Sequence, residues 1–160
     1  MGTLSRLKDE MLEALRQEPG LRGVVITDEF PETGKPQGIG RPVLALGYAQ
    51  IEVKQAGMGG LLTCEGEGKR CEATLLFTLC APRKEVSPKL VGLFDVLAEV
   101  LLAGEGMPLA VSGLRCEPVG FDRALGCPVL RAYAKTEFWL VGGTETGEGI
   151  GEYIVRRAEI

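Results

Sequence analysis

The chain has 160 residues, of which 45% are hydrophobic and 25% charged, with a formal net charge of -4 and no histidine. That length suits one compact domain burying about 70% of the surface its unfolded form exposes, while the composition argues against disorder and against a basic face for nucleic acid. Without histidine, the Ser-His-Asp and Cys-His nucleophile systems, HExxH zinc sites and most transition-metal chemistry are excluded.

The first expected element is a helix from about Thr3 to Gln17. Leu4, Leu7, Met11, Leu12 and Leu15 recur at three- and four-residue steps with charged residues between them, which makes one apolar stripe on a solvated helix. Pro19 and Gly20 stop it. A short β-rich run, Gly23 to Thr27, leads into a loop from Asp28 to Arg41 that carries Pro31, Gly34, Pro36, Gly38 and Gly40, longer than the usual connection. Pro42 to Gln55 reads as a strand in which Tyr48, Gln50, Glu52 and Lys54 face water and Gly47, Ala49, Ile51 and Val53 face the other way. The glycine-rich stretch Ala56 to Arg70 is expected to be the tip of a projecting hairpin. Cys71 to Ala81 returns as a central strand, apolar on one face and mostly covered on both.

Ser87-Pro88 is a strong helix start, and the helix is expected to run to about Ala103. Lys89, Gly92, Asp95 and Glu99 form its only polar stripe, so it is expected to be buried on more than one side. Gly104 and Gly106 end it. Two strands follow, about Pro108 to Val119 and Pro128 to Val141. In the second, Leu130, Ala132, Ala134, Thr136, Phe138 and Leu140 form the buried set, leaving Trp139 on a mixed outer face. The remainder is a C-terminal arm, 143–160, whose glycines suit a tether and whose Tyr153, Ile154 and Val155 are a strand-capable patch in want of a partner. Residues 1–142 are the single domain. The fold class is α+β: an antiparallel sheet of about four strands with two helices packed on it, plus the hairpin and the arm.

No motif announces a reaction. GKPQGIGR lacks the GxxxxGK[ST] pattern, and GTETGEGIG leads into no helix whose N-terminus could hold a phosphate. The five cysteines, Cys64, Cys71, Cys80, Cys116 and Cys127, are an odd number and fit reduced thiols in a reducing compartment. A four-thiolate zinc site from Cys64, Cys71, Cys116 and Cys127 is disfavoured by spacings of seven and eleven positions, far from CxxC knuckles. A thiol enzyme would need Cys64 or Cys71 activated by Lys69 or Arg70. Asp28, Glu29 and the isolated Glu52, Glu72 and Glu117 could meet as a carboxylate pair in space, but no spacing among them sets two on one face of a predictable element, and solvated surface is the expected account. No catalytic, cofactor-binding or metal-binding residue is therefore expected, and neither a signal peptide nor a membrane span is read in a chain taken as soluble and intracellular.

The segments MGTLSRLKDEMLEALRQ, RPVLALGYAQIEVKQ, RCEATLLFTLCAP, SPKLVGLFDVLAEVLLAG and PVLRAYAKTEFWLVGG, in that order, cover about residues 1–142. This layout resembles the tail terminator and tail-completion (neck) proteins of tailed bacteriophages and prophage tail-like particles. The resemblance implies a structural virion protein and no enzyme: a hexameric ring that caps the tail tube, contacts tube and neck or connector proteins, and lets DNA pass without specific binding. It would sit in the virion tail or neck, assembled in the bacterial host cytoplasm. Met58, Leu61, Leu62, Trp139, Tyr153, Ile154 and Val155 are the expected assembly contacts. Another neck or baseplate role, or a monomeric small-ligand binding module, are the alternatives.

Overall fold

The structure is a computed structural model that describes residues 2–28, 41–55, 61–63, 66–82, 88–124, 126–142 and 153–157. Two helices, α1 (Thr3–Arg16) and α2 (Pro88–Ala103), pack on one mixed sheet of eight strands. The strands are β1 (Val25–Thr27), β2 (Val43–Gln55), β3 (Leu61–Thr63), β4 (Gly66–Cys80), β5 (Val111–Cys116), β6 (Gly120–Asp122), β7 (Cys127–Gly142) and β8 (Tyr153–Arg157). A helix layer on one face of a largely antiparallel sheet is the α+β class that the sequence implies.

Across the sheet the order is β1-β2-β4-β7-β5. The long strands β2, β4 and β7 are mutually antiparallel, and β1 is parallel to β2 over Val25 to Thr27. β3 takes over from β2 as the partner of β4, with Thr63 opposite Gly66, so the glycine-rich stretch carries the hairpin expected there. The far edge of β7 is shared by three short strands: β6 opposite Cys127 to Val129, β5 opposite Ala132 to Thr136, and β8 opposite Phe138 to Gly142.

Two expectations about the sheet need correction. It holds eight strands rather than about four, and it is mixed rather than purely antiparallel. The strand expected over Pro108 to Val119 is shorter, Val111–Cys116, and stops before Pro118, which lacks the N–H a continuous ladder needs; β6 lies beyond the expected bounds. The segment expected as an arm contributes β8, which pairs with β7 of its own chain.

The main core lies between the helices and one face of the sheet, and a small second cluster of Val43, Cys80, Cys127 and Val129 is buried on the other face. Leu7, Met11, Leu12 and Leu15 of α1 are buried, as their spacing requires, and burying each such side chain contributes about 1.5–3 kcal/mol. They meet Leu44 and Leu46 of β2, the alternate residues Cys71, Ala73, Leu75, Phe77 and Leu79 of β4, and Leu130, Ala132, Ala134 and Phe138 of β7. Thr136 is buried in that row, and its hydroxyl donates to the Ala110 carbonyl at 2.7 Å, which removes the cost of burying it. Arg16 donates to the Ile26 carbonyl at 3.1 Å and ties α1 to β1.

A β-bulge in β2 between Tyr48 and Gln50 breaks the alternation expected there. One extra residue rotates the strand, so Tyr48, opposite Leu75, packs on the helix-bearing face and donates to the Leu4 carbonyl at 2.7 Å instead of facing water. Ile51 and Val53 fall on that same face, opposite Ala73 and Cys71, but beyond the main cover of the helices, at 40% and 48% exposure.

Helix α2 is buried on one side only, through Leu90, Leu97 and Leu101, whereas Val91 and Leu102 are exposed. Its apolar surplus exceeds what one sheet face can cover in a two-layer fold. Gly104, at φ +70°, ends the helix in the left-handed turn that favours glycine. Gly20 sits so near α2 that a Cβ there would lie 2.8 Å from Val96 Cγ1, so a side chain at that point requires Val96 to shift. Among the described residues no helix is long and apolar enough to cross a membrane.

Candidate functional site

On the face of the sheet opposite the helices Val43, Cys80, Cys127 and Val129 form a small buried cluster at one end, and the rest is open, its side chains sorted into rows by the register of β2, β4, β7 and β5. Glu52, Glu72 and Glu137 lie directly opposite one another across three strands, and the next row holds Lys54, Arg70 and Trp139. Three adjacent carboxylates repel, and the neighbouring cations offset this. Arg70 Nη2 lies 2.7 Å from Glu137 and 3.2 Å from Glu72, and Lys54 Nζ lies 3.2 Å from Glu72 and 3.7 Å from Glu52. These contacts hold the protonated forms of Lys54 and Arg70 above their ordinary pKa, through the hydrogen bonds to Glu72 and Glu137 respectively. The pairs are solvated, so they add little to stability.

On the other side of the carboxylate row, Gln50, Thr74, Lys135 and Gly113 follow, then Gly47, Leu76, Tyr133 and Arg115. A trough of about 430 Å³ crosses the sheet here, from Ala49 and Gln50 of β2 to Gly113 and Arg115 of β5. The bulge at one end and the bare glycine at the other make the room. The Arg115 guanidinium carbon lies over the Tyr133 ring, 4.2 Å from its centre, a cation–π contact. The Tyr133 hydroxyl donates to Glu117 Oε1 at 2.9 Å, which raises the phenol's pKa. Arg131 pairs with Asp122 at 3.1 Å.

This surface presents paired charge, two amides or hydroxyls and an aromatic ring. It offers no activated nucleophile. Cys71, Cys80 and Cys127 are buried, and burial pushes all three thiols above their ordinary pKa, most strongly Cys80. That is the opposite of the activation a thiol enzyme needs at Cys71; Arg70 lies on the open face with Glu137 while Cys71 lies on the helix-bearing face. The structure does not bring Cys71, Cys116 and Cys127 together: Cys71 is opposite Phe138, Cys127 is opposite Asp122 at the other end of β7, and Cys116 is exposed on β5. Among the described residues no cluster of three cysteine or acidic side chains could hold a metal ion.

Of the expected assembly contacts, Trp139 lies partly buried on the open face opposite Arg70. Leu61 and Leu62 lie in β3 opposite Gly68 and Glu67. Tyr153, Ile154 and Val155 lie in β8 opposite Gly142, Val141 and Leu140. Met58 and Cys64 are outside the described residues. The sequence reading missed Arg115, Gly113 and the trough. The alternation of Arg131, Tyr133, Lys135 and Glu137 marked one wall, but nothing in the sequence set β5 beside it. No protein-family model matches the chain, and no curated protein matches it.

Proposed function

We propose that this protein is a structural subunit of a phage tail or tail-like particle, a tail terminator whose copies form a ring that caps the tail tube and joins it to the neck. The observation that carries the reading is the two-layer build with unsatisfied surfaces on both sides. The helix layer leaves Val91 and Leu102 exposed, at 46% and 62%, and the sheet layer leaves a broad charged face over which no helix of the described residues packs. Such surfaces suit contact with further copies and with tube and neck proteins. The resemblance rests on the order helix, strand, long loop or hairpin, strand, helix, strand, strand; the chain runs α1, β1 to β4, α2 and β5 to β8.

In this reading the protein is no enzyme and needs no cofactor, it is a component of the virion assembled in the host cytoplasm, and DNA passes it without being held. Light scattering after size exclusion is expected to give a multiple of the 17.1 kDa chain, namely six, alone or on tail-tube protein. A strict monomer at high concentration that assembles on no tube protein would overturn it. The trough favours one second reading, a monomeric module holding a small anion between Lys135 and Arg115. A monomeric mass combined with saturable binding of a small carboxylate would select it.

A further inference from the structure

The sheet ends in two unlike edges. On one side β1 covers β2 only from Val43 to Ala45, and among the described residues no strand pairs with that edge of β2 beyond Ala45. On the other side β5 is the last strand of the order. An uncovered edge presents a row of backbone donors and acceptors that another strand can complete. The uncovered part of β2 is also exposed in its side chains from Ala49 through Lys54.

Strand direction makes the two edges compatible. β2, β4, β7 and β5 alternate in direction, each antiparallel to the next. A second copy placed beside the first in the same orientation therefore lays its β2 antiparallel to the first copy's β5, and the alternation continues. Joining unlike edges is a head-to-tail contact, the kind that closes into rings.

Face and charge then select one register. Ile51 and Val53 lie on the helix-bearing face and Glu52 and Lys54 on the open face. On β5, Leu114 and Cys116 are opposite Ala134 and Ala132 on the helix-bearing face, and Gly113 and Arg115 are opposite Lys135 and Tyr133 on the open face. Only slips of two residues keep both faces in line. With Arg115 opposite Glu52, Leu114 meets Val53, Cys116 meets Ile51, and Gly113 meets Lys54. A slip one way sets Arg115 against Lys54, cation on cation, and a slip the other way runs Cys116 into the bulge at Ala49. Arg115 has no carboxylate partner among the described residues and rests on Tyr133, so its charge is available to the neighbour.

We infer that copies of this chain join through their sheet edges, β5 of one along β2 of the next, with Arg115 opposite Glu52. The inference rests on the oligomeric reading above and specifies the surface that makes it. The native Cys116 supplies the test, because it is exposed and free. In Ile51→Cys the introduced thiol faces Cys116 of the neighbour, and directly opposed residues of an antiparallel pair bring their Cβ atoms to about 4.5–5.5 Å, near the span of a disulfide. Incubation with glutathione disulfide converts the two thiols to one disulfide, the two electrons and two protons passing to the oxidant as two molecules of glutathione.

Non-reducing denaturing electrophoresis should then show a ladder of linked chains, with peptide mapping placing the bond between positions 51 and 116. Ile51→Cys combined with Cys116→Ser should show no such ladder. Arg115→Glu should weaken association about tenfold, and the exchange Arg115→Glu with Glu52→Arg should restore it, since the opposed charges are again unlike. If light scattering finds an assembly that yields no 51–116 link, the edge contact is wrong and the ring reading stands. If the wild-type chain stays a monomer, both fail.

Discussion

Tyr48 shows how one side chain joins local geometry to a measurable property. The bulge that follows it turns its ring under α1, where the hydroxyl donates to the Leu4 carbonyl. Burial first, and then the nearby Cys71 and Asp9, raise its phenol from 10.0 to about 12. The folded protein therefore favours the neutral phenol more than the unfolded chain does. Its contribution to stability is fully present below pH 10 and is lost as the pH climbs from 10 through 12. Tyr48→Phe should cost about 1 kcal/mol at neutral pH through the lost hydrogen bond, and it should flatten the loss of stability across that alkaline window. Urea denaturation at stepped pH measures both. An unchanged alkaline slope in the variant would mean that another group titrates there.

At the scale of elements, the two sides of α2 carry different work. Leu97 is fully buried against the sheet, so Leu97→Ala should destabilise the fold by about 2–5 kcal/mol. Leu102 is 62% exposed, so Leu102→Ala should change the isolated subunit by less than about 0.5 kcal/mol. Equal costs in thermal denaturation would mean that the helix is covered on both sides. β8 permits a similar separation. It occupies the edge of β7 from Phe138 to Gly142, and deleting residues 143–160 strips those ladder bonds from a long strand. The truncated chain should lose about 2 kcal/mol. An unchanged melting temperature would return the segment to the role of a free arm.

The elements differ in how far a linear pattern reveals them. The leucines of α1 and the alternation of β7 are legible because each element is amphipathic along its own length, and period alone identifies the buried set. The bulge in β2 is not, since Ala49 and Gln50 carry no mark that distinguishes an inserted residue from the next step of a strand. The single buried side of α2 was also hidden, because Val91 and Leu102 are as apolar as Leu97, and only the number of layers decides which of them is covered. Pro118 was a visible break in the run from Pro108 to Val119, and giving it its full weight would have ended β5 before it. The trough depends on Gln50, Thr74, Lys135 and Gly113 falling in one row, residues up to 85 positions apart in the chain whose meeting is set by register alone.

The whole molecule carries a net charge of -4, and the disposition of its charges matters more than the sum. Affinity for duplex DNA comes chiefly from cations that displace counterions from phosphates, and it falls steeply with salt in proportion to their number. On the open face Lys54, Arg70 and Arg131 are already engaged by Glu52, Glu72, Glu137 and Asp122. A phosphate approaching any of them meets a carboxylate within the same few ångströms. Among the described side chains of that face the remaining cations, Lys135 and Arg115, are too few to track a backbone. The chain should therefore give no fluorescence-anisotropy change with labelled duplex DNA at tens of micromolar protein and about 0.15 M salt, where a non-specific binder of ordinary strength would register. That outcome suits a subunit beside which DNA must slide without sticking. Binding that weakens steeply as salt rises would show that the open face presents more free cation than its ion pairs allow, and it would count against a passive conduit.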